Sequence, residues 1–214
     1  MKYLIPCILF LASSVFADEK DHYQFKIHPT LPAMEFRLVW QQPTESTNDR
    51  TVQKIEVWRQ GDAKPTQILD ARMDETPAEG QTDFFSAQDI NFDGYQDIKL
   101  QIMWGATGNR IFDFYVYHPA TQQFVFSPAI SQLSNPLPLA DKQELEVFWN
   151  GGMAGEIYSK DRYKIKGEVV TLVYSEHQNW DPEQQVLIKV IKVRKNDTLV
   201  TIKKERRKLT DDTN

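Results

Sequence analysis

What most constrains the fold is a missing pattern. No segment carries the 3.6-residue apolar period of a long amphipathic helix. In its place stand short runs with a period of two. Val52, Lys54, Glu56 and Trp58 alternate with Gln53, Ile55, Val57 and Arg59. Ile98, Leu100 and Ile102 alternate with Lys99, Gln101 and Met103, and Phe112, Phe114 and Val116 with Ile111, Asp113, Tyr115 and Tyr117. Successive strand side chains point to opposite faces, so runs like these give one face to a core. Glycine, proline and Asx residues punctuate them at Gly105–Asn109, His118–Gln122, Lys166–Gly167 and Asn196–Asp197. The pattern predicts strands over 35–41, 52–59, 98–104, 111–117, 123–126, 144–149, 156–165, 168–176, 185–195 and 198–204. A phase shift at Val190–Ile191 predicts a bulge. Residues 18–34 read as a lead-in arm, 70–82 as loop, 127–133 as a single helical turn, and Asn135-Pro136-Leu137-Pro138 as a breaker. The expected architecture is one all-β domain over residues 18–214, either a small β-propeller-like array of short antiparallel strands or a β-sandwich. Trp40, Trp58, Trp104, Trp149 and Trp180, spread over these strands, read as core fillers.

One stretch is far more specific than the rest: Asp89-Ile90-Asn91-Phe92-Asp93-Gly94-Tyr95-Gln96-Asp97-Ile98. Calcium is a hard cation that takes about six to eight oxygen ligands at roughly 2.3–2.6 Å. Asp89, Asn91 and Asp93 converge on one point if the backbone curls, and Gly94 allows the left-handed turn that the curl needs. Tyr95 then offers its backbone carbonyl and Asp97 a side-chain oxygen. The spacing copies the start of an EF-hand loop. It lacks the bidentate glutamate of position twelve, where Leu100 stands. The reading is a strand–calcium loop–strand unit, and its alternative is an Asx-rich turn without metal.

The first residues point to export. Lys2 precedes a largely apolar run from Tyr3 to Phe16, and Val15-Phe16-Ala17 suits a signal peptidase, so a signal peptide over residues 1–17 with cleavage after Ala17 is expected. Cys7, the one cysteine, falls inside it, so the remainder is expected to rely on its core and on calcium rather than disulfides. This fits a bacterial periplasm. The net charge of −5 argues against nucleic acid and leaves a cationic protein partner open. The basic run Lys203-Lys204-Glu205-Arg206-Arg207-Lys208 reads as a solvated end.

Several segments together resemble a known family. The calcium loop, Gly105-Ala106-Thr107-Gly108-Asn109, the run Phe114–Thr121 with Phe124, and Leu133-Ser134-Asn135-Pro136 are similar to the calcium-binding periplasmic immunity proteins of Xanthomonas. The resemblance covers roughly residues 80–180. It implies a β-propeller-like fold, a calcium ion at Asp89, Asn91, Asp93, Tyr95 and Asp97, and inhibition of a lysozyme-like effector delivered by a bacterial-killing secretion system. Asn91 departs from the aspartate of related loops and lowers the ligand charge.

The sequence therefore favours a binding protein, an immunity factor that inhibits a peptidoglycan-degrading enzyme. Gly151 to Tyr158 is the first candidate partner-binding surface. Its glycines, Gly152 among them, allow close backbone approach, and Met153 or Tyr158 supplies an anchor. The second is Gly105 to Arg110, where Arg110 is suited to pair with a catalytic carboxylate. The alternatives are an envelope scaffold or adhesion module and, less favoured, a calcium-dependent hydrolase. His22, His28, His118 and His177 are scattered, and neither His-Glu-x-x-His nor Gly-x-Ser-x-Gly occurs.

Overall fold

A computed structural model describes residues 22–41, 50–78, 80–105 and 107–209. The expected signal peptide lies outside the described residues. Three antiparallel sheets form, each a meander in chain order. The first contains β1 (His22–Phe25), β2 (Met34–Trp40), β3 (Val52–Arg59) and β4 (Gln67–Asp70). The second contains β5 (Phe85–Gln88), β6 (Asp97–Trp104), β7 (Arg110–His118) and β8 (Gln123–Phe126). The third contains β9 (Leu137–Leu139), β10 (Glu144–Gly152), β11 (Ile157–Lys166), β12 (Val169–Asp181), β13 (Val186–Lys195) and β14 (Thr198–Lys208). A single helical turn, α1 (Pro128–Ser131), is capped by the Ser127 side chain and follows β8. The chain is all-β as expected. Its pairing gives open sheets compatible with a sandwich and shows no closed barrel or propeller.

The second sheet is the middle layer, and β7 explains why. Tyr115 and Tyr117 enter a cluster with Phe85, Ile98, Leu100 and Phe124 of their own sheet and Phe36, Leu38, Ile55 and Val57 of the first. Phe112, Phe114 and Val116 alternate with them and enter a second cluster with Ile90, Ile130 and Leu145 of β10. Tyr163 and Ile165 of β11 pack against that cluster. A strand with both faces covered is apolar at nearly every position, and six consecutive β7 residues are buried.

The strands missed by the period-two pattern have physical reasons. β1 and β4 are edge strands of four residues with little burial. β9 holds Pro138 inside what reads as a breaker, which an edge strand tolerates because one side of it has no ladder to feed. β12 and β14 run longer than predicted, to Asp181 and Lys208, because polar residues stay paired beyond the core. The predicted bulge appears as a register shift between Ile191 and Lys192. The tryptophans are corrected in part: none is among the fully buried residues, and Trp40 packs, half-buried, against the first cluster. An indole N–H needs a polar partner, which disfavours full burial. Trp58 donates to Glu56 (3.0 Å) and lies under the Arg37 guanidinium (4.1 Å). Phenylalanine and tyrosine fill the core instead.

Candidate functional site

The loop from Asp89 to Asp97 divides its side chains by chemistry. Ile90 is fully buried in the second cluster and Phe92 packs on it. Tyr95 packs on the first cluster and stacks on His28 (4.5 Å between ring centres). The polar side chains turn inward on the loop's own backbone. Asp89 accepts from the amides of Asp93 (3.2 Å) and Gly94 (2.9 Å). Asn91 Oδ1 accepts from Asp93 N (3.1 Å), and its Nδ2 donates to Asp93 Oδ2 (3.0 Å). Asp93 Oδ1 accepts from Tyr95 N (2.9 Å). The curl needs left-handed backbone at Phe92 (φ 64°) and Gly94 (φ 87°). Asp89, Asn91 and Asp93 thus gather as the spacing predicts.

Asp97 occupies a different position. It has no exposed surface, and its two oxygens accept from Ile90 N (3.0 Å) and Tyr117 N (2.8 Å). Burial pushes its carboxyl up to about 7, against those two hydrogen bonds and with help from the nearby Asp93 and Asp89 charges. It staples the loop to β7. Among the described residues no three His, Cys, Asp or Glu side chains stand close enough to hold a metal ion. The gathered set is two carboxylates and one amide. Its donors are all oxygen, which fits the chemistry of a hard cation, and each Asp97 oxygen keeps a second lone pair.

The two glycine-bearing turns, read separately in the sequence, are in contact. Asn150 N donates to Asn109 Oδ1 (2.9 Å), and Asn109 Nδ2 returns a bond to Asn150 O (2.9 Å). Thr107 Oγ1 donates to the same carbonyl (2.6 Å), and Asn150 Nδ2 donates to Thr107 O (3.2 Å). Asn109 is buried, and Gly105 lies against Trp149. The turn between β6 and β7 therefore braces the turn between β10 and β11.

The braced turn is strained. Gly152, Met153, Ala154 and Gly155 all have positive φ (111°, 49°, 52° and 90°). Left-handed backbone costs on the order of 1–3 kcal/mol at a non-glycine residue and persists only where the surroundings impose it. Gly151 is the close approach: a Cβ there would stand 2.6 Å from Ile157 Cγ2. The consequence is that Met153 projects with 43% of its surface exposed.

Tyr158 begins β11 beside this turn. Its hydroxyl donates to Glu176 Oε1 (2.7 Å), and its ring stacks on Phe148 (5.7 Å). Phe148 is 52% exposed and was not singled out from the sequence. Its signal was phase: Leu145 and Val147 point inward, so an apolar Phe148 falls among the outward residues Glu144 and Glu146. Arg110 has its donors engaged internally. It reaches Asp83 Oδ2 (2.5 Å) and Gln101 Oε1 (2.5 Å) and lies over the Phe112 ring (4.9 Å). That pairing holds the Asp83 carboxyl below its usual range.

No protein-family model matches the chain, and no curated protein matches it. A solved structure described as a Xanthomonas type IV secretion system related protein is similar in fold. It shares 17% identity with a TM-score of 0.59, over 87% of this chain and 95% of that one. A likeness at this identity is one of fold. No helix among the described residues is long and apolar enough to cross a membrane.

Proposed function

We propose that this chain is a periplasmic, calcium-stabilised binding protein, an immunity factor that inhibits a lysozyme-like peptidoglycan-degrading effector. The observation that carries the reading is the braced turn from Gly151 to Gly155. A strained, positive-φ turn with an exposed methionine at its tip, held from beneath by Asn109 and Thr107, is a rigid projection rather than a slack connection. A rigid projection loses little conformational freedom on entering a cleft. Met153, Phe148 and Tyr158 supply its apolar contacts. Arg110 is engaged with Asp83 and Gln101, so this reading assigns the contacts to the turn. The secretion-related description of the structural neighbour agrees with this role.

Calcium belongs to the same reading. Asp89, Asn91, Asp93 and the Tyr95 carbonyl would hold it, with Asp97 completing the set through its remaining lone pairs. Bound there, the ion supplies charge neutralisation that fixes a loop anchored on both cores.

A peptidoglycan turbidity assay with a lysozyme-like muramidase tests the inhibition. The wild-type chain is expected to block lysis, and Met153→Ala with Phe148→Ala, both at exposed side chains, to relieve the block while melting unchanged. Binding to the muramidase without loss of its activity would point to the scaffold alternative. Calorimetry with calcium tests the metal. A binding isotherm is expected that disappears in Asp93→Ala, and a flat wild-type trace overturns it.

A further inference from the structure

The hairpin β13–β14 stands apart electrostatically. Residues 186–208 hold nine of the chain's 25 Lys and Arg but two of its 30 Asp and Glu, in a chain whose net charge is −5. The two faces of the hairpin treat that charge differently. Cross-strand partners share a face, and the register pairs Arg194 with Leu199, Lys192 with Thr201, Val190 with Lys204, Ile188 with Arg206 and Val186 with Lys208. One face therefore collects Lys192, Arg194, Lys204, Arg206 and Lys208, and no carboxylate of either strand.

Three of the four cations on the opposite face are neutralised, with Lys195 beside the turn as the exception. Lys189 pairs with Glu176 (2.6 Å), Lys203 with Glu205 (2.7 Å) and Arg207 with Glu156. On the cationic face, Lys192, Lys204, Arg206 and Lys208 are exposed, and none has an ion pair among the described residues. Arg194 binds the carbonyls of Leu172 (2.7 Å) and Asp197 (2.8 Å) and keeps its charge uncompensated. The carboxylates that share this face across β12 and β11 are engaged elsewhere. Asp181 caps the amides of Glu183 and Gln184, and Asp161 pairs with His177 (3.0 Å).

We propose that this face docks on an anionic phospholipid bilayer. Two features choose the lipid surface over an acidic protein. The cations form one open row, Lys208, Arg206 and Lys204 along β14 and then Lys192 and Arg194 on β13, about 7 Å apart along each strand, which suits a plane of phosphate headgroups. On the same face Leu199, opposite Arg194, is exposed, and Ile202 is exposed at the β14 bulge beside it. Lysines mixed with exposed aliphatics are the composition of segments that lie in a membrane interface. The register sets this face on the opposite side of the sheet from Phe148 and Tyr158, so the protein can lie on a membrane while those side chains stay available.

Co-sedimentation of the full chain with vesicles tests this. Binding is expected to mixed phosphatidylglycerol and phosphatidylcholine vesicles and not to phosphatidylcholine alone. It should fall as salt rises from about 0.1 to about 1 M and the Debye length shrinks from about 10 to about 3 Å. Each basic residue near an anionic surface strengthens binding about fivefold. The triple variant Lys192→Gln, Lys204→Gln, Lys208→Gln should therefore bind about 100-fold more weakly, with its melting unchanged. A control triple in the first-sheet region, Lys26→Gln, Lys54→Gln, Lys64→Gln, removes the same charge and should bind as wild type. Equal loss in both triples, or no binding to the mixed vesicles, overturns the proposal. So does tight binding of polyglutamate by a chain that ignores vesicles, which would assign the face to an acidic protein.

Discussion

Glu176 receives three donors on a half-buried sheet face: Tyr158 (2.7 Å), Tyr174 (2.5 Å) and Lys189 (2.6 Å). Burial works to raise its carboxyl, but hydrogen bonds from Lys189, Tyr174 and Tyr158 outweigh it and hold the group down at about 2. A carboxyl whose folded pKa lies below its unfolded value of 4.5 stabilises the fold above that value. The contribution is lost as pH falls from 4.5 toward 2. Glu176→Gln is therefore expected to lower stability by about 2 kcal/mol at pH 7, after allowance for solvent screening. The gap between variant and wild type should stay constant down to about pH 5 and close below it. Urea unfolding at a series of pH values checks this, and a gap that persists at pH 2 would contradict it. Sequence alone did not reveal this residue. Its partners come from three strands, and only the register of β11, β12 and β13 brings them to one carboxylate.

At the scale of elements, the decisive contact joins two turns. Asn109 fills both hydrogen-bonding needs of the Asn150 backbone. Asn109→Ala would leave the Asn150 amide short of its acceptor near a buried position, while Thr107 still serves the carbonyl, at a cost of about 1–3 kcal/mol. Inhibition should drop more than stability predicts, because the turn loses its brace. Comparing inhibition at a temperature where the variant remains fully folded separates the two effects. Full inhibition by folded Asn109→Ala would remove the brace from the argument. Each turn was legible by itself in glycine and Asx residues, and so was the curl of Asp89, Asn91 and Asp93. Their adjacency was not, because the third sheet sets it by stacking on the second through Leu145, Tyr163 and Ile165. Asp97 shows the same limit. Spacing put it in line with the others, and only packing adds that its two oxygens accept from the Ile90 and Tyr117 amides.

Across the whole molecule, one strand couples the layers. β7 gives Phe112, Phe114 and Val116 to the cluster under the third sheet, and Tyr115 and Tyr117 to the cluster under the first. Neither cluster can lose β7 without exposing the other, so the three sheets should unfold together. The loop from Asp89 to Asp97 is tied to the same strand by Asp97 and to both clusters by Ile90 and Tyr95, which places it within that cooperative unit. Phe114 has no exposed surface, and its truncation leaves a cavity between the second and third layers. Phe114→Ala is expected to cost about 3–5 kcal/mol. The informative readout is the shape of the transition. Scanning calorimetry should show a single endotherm for the wild type and a single, lower one for the variant. If the variant instead splits into two transitions, with the first-sheet cluster melting at the wild-type temperature, the layers are separate units. The brace, which joins the second and third sheets, would then not draw on the first sheet for its stability.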